Sequence, residues 1–421
     1  MLIFDYLHNN AYKYKNKIAL VETDINKEKD VSKKVTWYEF DKISEKISIY
    51  LIEQGIGKGK RVGILLKNCI EWLPIYFGIL TTGAVAVPLN YRLNEGELKY
   101  CITVSKIEVL VTDKHLIKDI NNMHEIFPAL FFLILGELKE ELIFIKPYES
   151  ILKTRIKSQK KVNICEDDDA AIYFTSGTTD KPKAVLLSHK NLVASAITEQ
   201  MHHNQTQADI FLCIPPLYHT GSKMHWFGSL IVGGKGVLLH NPTPSRILGV
   251  IQQEKVTNAW LLLPWVQDIL YAIENGQLCL EEFDLKSWKL MHMGAQPIPH
   301  IIIEKWLKYF PWQNVDVSYG LTETTGPGVI HLGCDNIEKL DTIGKDGYGW
   351  NSKILNSSGQ ELRTNEIGEL AVYGPGVMKR YLDDKLETEN VIINNWLLTG
   401  DLGYKDKDGF IYLTGRKKDV I

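Results

Sequence analysis

Hydrophobic and polar positions along the chain switch repeatedly between a strand-like and a helix-like period. From Lys34 a short strand pattern leads to Thr36 and Glu39, whose spacing is that of a helix-capping box. The pattern then becomes helical, and Gly55 predicts the end of this helix. Its apolar face is predicted to consist of Phe40, Ile43, Ile47 and Leu51.

The same alternation continues through most of the chain. The runs RVGILL from Arg61 and AVAVPLN from Ala84 read as buried strands, with a helical stretch between them. A second series comprises AAIYF, IFLCIPP and GVLLH, with helices predicted to start after the capping residues Ser188 and Thr243. Strands that alternate with helices are typical of parallel sheets covered by helices on both faces, so we predict an α/β fold.

The pattern changes after about residue 333, where short apolar pieces such as GELAVYGPG and GFIYLTG are separated by Gly, Asp and Asn. This texture predicts a small β-rich, barrel-like subdomain. We therefore expect two doubly wound, mostly parallel α/β subdomains at residues 1–164 and 165–333, followed by the β-rich subdomain at residues 334–415.

Composition excludes several classes of protein. The 421 residues carry 48 basic and 51 acidic side chains, a net charge of -3, which argues against a nucleic-acid partner. The six cysteines are scattered without metal-ligand or disulfide spacing, and no apolar run is long enough to span a membrane. These features predict a cytoplasmic protein. A homodimer is compatible with the sequence, although no motif supports one.

One polar loop stands out because it follows a buried strand and concentrates hydroxyl groups and lysines. In YFTSGTTDKPKA, Gly177 allows close backbone approach, Lys183 supplies a positive charge, and the hydroxyls that can donate to an anion are those of Thr175, Ser176, Thr178 and Thr179. The loop is not a Walker-type phosphate loop, because its glycine and lysine spacing differs. A phosphate-binding loop and a polar surface turn are both open readings of this segment alone.

Four further motifs follow in order: GAQPIP from Gly294, YGLTET from Tyr319, WLLTGDLG from Trp396 and GRKKDVI from Gly415. With these motifs the chain resembles the adenylate-forming superfamily, which contains acyl-CoA synthetases, adenylation domains of nonribosomal peptide synthetases and firefly luciferases. The acyl-CoA synthetases are the most similar branch. The resemblance implies ATP and AMP as nucleotides, Mg²⁺ as metal, a carboxylic acid as substrate and CoA as co-substrate.

The resemblance also implies roles for individual residues. Thr175 to Lys183 are expected to enclose the β and γ phosphates of ATP, with Lys183 aiding the leaving group. Thr322 is expected to contact the α phosphate, and Glu323 together with Thr175 to hold Mg²⁺. Two positions depart from the family's usual glycines, Asp180 and Ala184. A carboxylate at Asp180 is expected to weaken ATP binding.

The remaining motifs are expected to surround the adenosine and the acid. Tyr319 and Gly320 are expected to lie against the adenine, and Asp401 and Arg416 at the ribose, while Lys418 corresponds to the family's hinge. His219, in PPLYHTGSKMHW, is expected beside the acyl carboxylate; Lys223 and His225 either face a polar acid or lie on the surface. The edge of the adenine and acyl pocket is expected at Gly294, Ala295 and Gln296.

The implied reaction joins a carboxylic acid to AMP and then to the CoA thiol. Relatives continue beyond the hinge with a domain that carries a further catalytic lysine, so residues 416–421 are expected to be a hinge remnant and the chain alone to be weakly active or inactive. Two alternatives stay open: an adenylation module that loads a carrier protein, and a non-catalytic adenylate-binding remnant.

Overall fold

The computed structural model describes residues 1–23, 32–136, 142–153, 162–175 and 181–419. Across these ranges the strands form three sheets, two large and mostly parallel and one small and antiparallel. The mixed α/β fold with a barrel-like β-rich part is therefore confirmed.

The first large sheet has nine described strands. Its five central pairings, from β14 to β1, are parallel, and antiparallel pairs lie at both edges. In spatial order the strands are β16 (Lys345–Asp346), β15 (Gly326–Leu332), β14 (Asn314–Leu321), β13 (Leu290–Gly294), β12 (Asn258–Leu262), β10 (Ile210–Cys213), β11 (Lys235–Leu239), β1 (Ile18–Thr23) and β2 (Lys33–Thr36).

The second large sheet has eight described strands, with antiparallel pairing at the β9 end. In spatial order they are β19 (Arg380–Tyr381), β9 (Ala184–Ser188), β8 (Asp169–Phe174), β4 (Val85–Pro88), β3 (Arg61–Leu65), β5 (Val109–Asp113), β6 (Phe131–Leu135) and β7 (Ile145–Pro147). The small antiparallel sheet contains β17 (Asn351–Leu355), β18 (Gly368–Tyr373), β20 (Ile392–Ile393), β21 (Trp396–Lys405) and β22 (Ile411–Arg416).

The predicted boundary at residue 164 is wrong as a division between sheets. Strands β1 and β2 belong to the sheet built mainly from residues after 200, while β8 and β9 belong to the sheet built from residues 61 to 147. Parallel pairing joins strands that are remote in sequence, and hydrophobic periodicity carries no signal for which remote strand is the neighbour.

Helices fill the space between the two large sheets and cover their outer faces. The layer between the sheets contains α1 (Ile3–Lys13), α2 (Trp37–Glu53), α3 (Trp72–Thr81), α7 (His189–His203) and α8 (Thr220–Leu230). The nine-stranded sheet is covered outside by α9 (Pro244–Glu254), α10 (Leu263–Glu274) and α11 (His300–Tyr309), and the eight-stranded sheet by α4 (Glu95–Ser105) and α5 (Ile120–Ile126). The result is a five-layer α/β/α/β/α arrangement, completed by the shorter α6 (Tyr148–Leu152) and α12 (Lys385–Val391).

Local sequence signals explain several helix starts. Thr36 and Glu39 form the predicted capping box at the start of α2, and the Ser188 hydroxyl accepts from the Asn191 backbone N–H at the start of α7. Gly55, just after α2, has φ +77°, a left-handed conformation that favours glycine. Among the described helices, none combines the length and apolar character that crossing a lipid bilayer requires.

Candidate functional site

The predicted motif residues gather at the carboxyl ends of the parallel strands of the nine-stranded sheet. Strand β13 ends at Gly294 and its parallel neighbour β14 ends at Leu321. Strand β10 leads through a short loop to His219, which caps α8. This edge is where open α/β sheets place their ligands.

A tight turn after β14 presents Thr322 and Glu323. A Cβ on Gly320 would lie 2.0 Å from the Gly326 carbonyl oxygen, so the two arms of the turn touch through backbone alone. The Leu321 backbone N–H donates to the Thr324 hydroxyl over 2.7 Å, which closes a short 3-10 turn at Thr322–Thr324. Thr322 and Glu323 are partly exposed on this turn, as a residue that meets a ligand must be.

Tyr319, Asp401 and Arg416 are brought together as predicted. The Tyr319 hydroxyl donates to Asp401 Oδ2, and Arg416 Nε lies 2.7 Å from Asp401 Oδ1. Asp401 and Arg416 face each other across the β21 and β22 pair. Burial raises the pKa of Asp401, while the hydrogen bond from Tyr319 and the charge of Arg416 oppose that rise. The group joins the end of β14 to the small sheet.

A second polar chain runs from Glu323 to the loop lysine. The Tyr381 hydroxyl donates to Glu323 Oε1 over 2.8 Å, and Lys183 Nζ lies 4.9 Å from the centroid of the Tyr381 ring. Lys183 also forms an ion pair with Glu387 on α12. The predicted metal ligand and the predicted phosphate-binding lysine therefore flank one aromatic ring.

The ends of the polar loop are held together, although the loop itself is only partly described. Thr175 N–H donates to the Lys183 carbonyl over 3.0 Å, and Lys183 N–H donates to Thr175 Oγ1 over 3.2 Å. Ala184 is buried at the start of β9. The predictions for Ser176, Gly177, Thr178, Thr179 and Asp180 fall outside the described residues.

Gly294, Ala295 and Gln296 leave β13 beside the end of β14. A Cβ on Gly294 would lie 3.4 Å from the Ser318 carbonyl oxygen, an ordinary van der Waals contact. Ala295 has φ +67°, a left-handed conformation that costs a non-glycine residue of order 1 kcal/mol, and its side chain is exposed at the edge of the sheet. Backbone in sparsely populated conformations clusters at binding sites.

His219 lies at the amino end of α8, on the same edge of the sheet. The start of α8 reaches the turn after β14, because a Cβ on Gly326 would lie 3.0 Å from the Gly221 backbone nitrogen. Desolvation lowers the pKa of His219 to about 4, and the charges of Lys223 and Arg92 act in the same direction. The imidazole is therefore neutral near pH 7 and able to accept or donate a hydrogen bond.

Lys223 and His225 are buried, so the prediction that placed them on the surface is wrong. The Lys223 ammonium donates to the carbonyl oxygens of Leu217 and His219, the latter over 3.0 Å. Burial holds the pKa of Lys223 well below its usual range. Its nitrogen lies 4.5 to 5.7 Å from the ring centroids of Tyr173, Trp72 and Tyr76. Lys223 thus fixes the backbone that carries His219 through its hydrogen bonds to these two carbonyl oxygens.

Sequence reasoning missed Tyr381 and Glu387. Tyr381 lies in a segment that resembles the acyl-CoA synthetases, but neither its spacing nor its type pointed to Glu323. Lys418 is exposed on a short 3-10 turn that follows β22. Its hinge role stays a prediction.

The donor set fits a hard divalent cation. Glu323 commits one oxygen to Tyr381 and retains another carboxylate oxygen, and Thr175 offers a hydroxyl at the mouth of the loop. Mg²⁺ prefers one or two carboxylate or hydroxyl oxygens completed by phosphate and water.

Comparisons with known proteins identify the family of the chain. The family model described as AMP-binding enzyme matches residues 7–382. The 2-succinylbenzoate–CoA ligase of Oceanobacillus iheyensis is 30% identical over 92% of this chain and 75% of its own length. The 4-coumarate–CoA ligase-like 6 of Arabidopsis thaliana is 28% identical over 87% of this chain, which spans only 65% of that relative.

A solved structure gives the same result. The O-succinylbenzoate coenzyme A synthetase of Bacillus subtilis, in complex with AMP, superposes with a TM-score of 0.82 at 28% identity, covering 99% of this chain and 79% of that one. That match covers nearly the whole chain, and because the family model also matches most of it, the chain belongs to the AMP-binding enzyme family.

Proposed function

We propose that this chain is the nucleotide- and acid-binding part of an AMP-forming acid:CoA ligase. The observation that carries the proposal is the contact of Tyr319, near the end of β14, and of Arg416 with the Asp401 carboxylate on β21, with Glu323 on the turn that follows β14. A carboxylate in that position can accept both hydroxyls of a ribose, and an aromatic ring beside it can stack on adenine.

In the first step, the substrate carboxylate oxygen attacks the α phosphorus of ATP. A new P–O bond forms, the bond to the pyrophosphate oxygen breaks, and the products are an acyl-adenylate and pyrophosphate. Lys183 and Thr322 neutralise and orient the phosphates, while Glu323 and Thr175 would hold Mg²⁺, which supplies positive charge to the phosphate oxygens.

In the second step, the thiol of CoA attacks the acyl carbon of the adenylate. The C–S bond forms, the C–O bond to AMP breaks, and the thiol proton passes to solvent. No protein nucleophile takes part in either step, so the task of the residues is to position the reactants and balance their charge. His219, neutral and at the start of α8, is placed to orient the acid.

The acceptor and the acid are supported only by the relatives. Those named above are a CoA ligase and a CoA ligase-like protein, which favours CoA over a carrier protein as the acceptor. We assign the substrate to the class of carboxylic acids.

The test measures nucleotide binding first and chemistry second. Melting temperatures are recorded with AMP, with MgATP and with sulfamoyl analogues of acyl-adenylates bearing short, long, aromatic and dicarboxylic acyl groups. Ligands that bind the native state raise its melting temperature. ATP–pyrophosphate exchange is then measured with the acid whose analogue gives the largest shift, and thioester formation with CoA or carrier protein as acceptor.

A matched pair of variants links the result to the site. Asp401→Asn is expected to weaken AMP binding at least tenfold, because it removes an ionised acceptor, worth about 1.5–3 kcal/mol. Asp408→Asn, at an exposed position in the turn between β21 and β22, is expected to bind AMP as the native chain does. Equal AMP affinity in both variants, or no stabilisation by any nucleotide or analogue, would overturn the proposal.

A further inference from the structure

A dense group of histidines and carboxylates lies between the nine-stranded sheet and the helices α7 and α8. It is separate from the group formed by Tyr319, Asp401 and Arg416. It is built where α7 and α8 pack against strands β13, β14 and β15. Its members are Glu199, His202, His203, His225, His292, Asp316 and His331. Only His225 lies in a segment that the proposed function uses, PPLYHTGSKMHW, which also contains His219.

Asp316 is the centre of the group. His203 Nε2 lies 3.0 Å and His331 Nδ1 lies 3.1 Å from Asp316 Oδ2, and His202 Nε2 lies 3.9 Å from Asp316 Oδ1. The rings of His202 and His331 are 4.0 Å apart, centroid to centroid. One ligand atom from each of His202, His203, His331 and Asp316 can be chosen so that all lie within 4.8 Å of one another.

Glu199 is the centre of a second cluster of histidines, next to the Asp316 cluster. Its carboxylate lies 3.2 Å from His225 Nδ1 and 3.6 Å from His203 Nε2. The imidazole ring of His292 lies near those of His203 and His225. Its centroid is 4.6 Å from the His203 centroid and 4.5 Å from the His225 centroid. His203 therefore belongs to both the Asp316 cluster and the Glu199 cluster.

The charges of this group are not balanced by lysine or arginine. The side chains of Glu199 and Asp316 are 0% and 1% exposed, and within the described ranges each ion-pair contact of either carboxylate is with a histidine. Removing two carboxylates from water costs several kcal/mol each unless a cation compensates them.

Hydrogen bonds inside the group leave several of its buried polar atoms without a partner among the described residues. Nε2 of His203, Nε2 of His331 and Oδ1 of Asp316 are buried without a hydrogen-bond partner in the described structure. Each such atom costs about 1–3 kcal/mol. A proton joins only two of these atoms at a time, whereas one metal ion accepts electron pairs from four.

We propose that His202, His203, Asp316 and His331 bind one divalent transition-metal ion, with Zn²⁺ as the best match. Three imidazole nitrogens and one carboxylate oxygen form a four-coordinate set that suits Zn²⁺. The two carboxylates, those of Asp316 and Glu199, together carry two negative charges. These charges balance a divalent ion when the histidines are neutral. The buried acids are then compensated without a basic side chain.

The structure also provides a route for the ion and a role for it. His202 is the outermost ligand, with 30% of its side chain exposed, while the side chains of the other three are 6% exposed or less. Four protein ligands leave no open position, so the ion is structural rather than catalytic. It ties the end of α7 to β14 and β15, the strands on either side of the turn that carries Glu323.

Metal content of the full chain, without an affinity tag, tests the proposal directly. Protein stripped with a chelator is loaded with Zn²⁺, passed through a desalting column and analysed for bound metal. One Zn²⁺ per chain is expected to be retained. Loading with Co²⁺ instead is expected to give the visible absorption of a tetrahedral cobalt site, a readout independent of enzymatic activity.

Two variants separate this site from adventitious binding. His202→Gln changes the exposed ligand, so it is expected to fold, which circular dichroism checks, and to lose at least tenfold in Zn²⁺ affinity. His300→Gln removes an exposed histidine that pairs with Asp341 and is expected to bind Zn²⁺ as the native chain does. Retention of less than about a tenth of an ion by the native chain, or equal affinity in both variants, would overturn the proposal.

Discussion

Strand β14 carries two polar sites of opposite character within four residues. Asp316 points into the protein and is surrounded by histidines, whereas Tyr319 lies at the edge of the sheet, where it donates to Asp401. At the edge the cationic partners are Arg416 and Lys183, whose long side chains keep contact with water. In the interior the partners of the carboxylates are histidines, which can be buried in their neutral form.

This contrast separates two kinds of polar contribution. At the edge, Lys183 and Arg416 are partly exposed and their ion pairs are individually weak, so changing these two residues is expected to alter ligand binding more than folding. The interior residues have no water to replace a lost partner, so changing them is expected to alter folding. The predictions below test this division, beginning with the largest effect.

Asp316→Asn is expected to lower the free energy of unfolding by about 3 kcal/mol in the presence of a chelator. It removes the negative partner of three buried histidines and leaves their polar atoms uncompensated. Urea unfolding monitored by fluorescence gives the value. Asp341→Asn breaks a histidine–aspartate pair on the surface and is the matched control, expected to cost less than about 0.5 kcal/mol. Equal costs would show that burial does not distinguish the two regions.

His189 sharpens the comparison because it is a buried histidine without a bonded carboxylate. Within the described residues neither of its ring nitrogens has a hydrogen-bond partner, and burial lowers the pKa of His189 to about 4. The unfolded chain, with a histidine pKa near 6.5, takes up the proton first as the pH falls. Stability is therefore complete above about pH 6.5 and is lost toward pH 4, by about 2 kcal/mol at pH 5.

Urea unfolding of the native chain and of His189→Gln at pH 7.5 and pH 5.0 measures this contribution. The variant is expected to lose less stability between the two pH values than the native chain does. His300→Gln, at an exposed site, is expected to keep the native pH dependence. A native-like dependence in His189→Gln would assign the acid sensitivity to other groups.

Glu387→Gln gives the smallest expected effect, at the edge. On the proposed function, Glu387 competes with the phosphates of ATP for Lys183. Both side chains are about one-third exposed, so releasing the lysine is expected to raise MgATP affinity about twofold at low salt. AMP, which lacks the β and γ phosphates, is expected to bind unchanged in calorimetric titrations.

Glu389→Gln is the matched control, because Glu389 lies on the same helix and pairs with Lys385 instead. The gain is expected to vanish near 1 M salt, where surface charges are screened within about 3 Å. A gain of the same size for AMP would show that Glu387 acts on the adenosine end of the site.

Sequence predicted the elements of this fold better than their arrangement. Capping residues such as Thr36 and Ser188 act within one helical turn, so their effect is visible locally. The place of β1 beside β11 depends on contacts between remote segments, which periodicity does not encode.

The candidate site shows the same limit. Residues in recognisable motifs, such as Tyr319 and Asp401, were predicted and are in contact. Tyr381 and Glu387 were missed because their roles arise only when β19 and α12 pack beside the polar loop. The buried histidines come from two helices and two strands, at spacings that match no metal-binding motif, so only the assembled sheet brings them together.

The position of β1 has a consequence for the synthesis of the chain. Leu20 pairs with Gly236, so β1 leaves the ribosome about 200 residues before its parallel partner. At about 5–20 residues per second, the first strand waits roughly 10–40 s with one edge unpaired. During that time the antiparallel partner β2 and the helix α2 are the nearby elements that can shield it, and its unpaired edge is open to pairing with other chains.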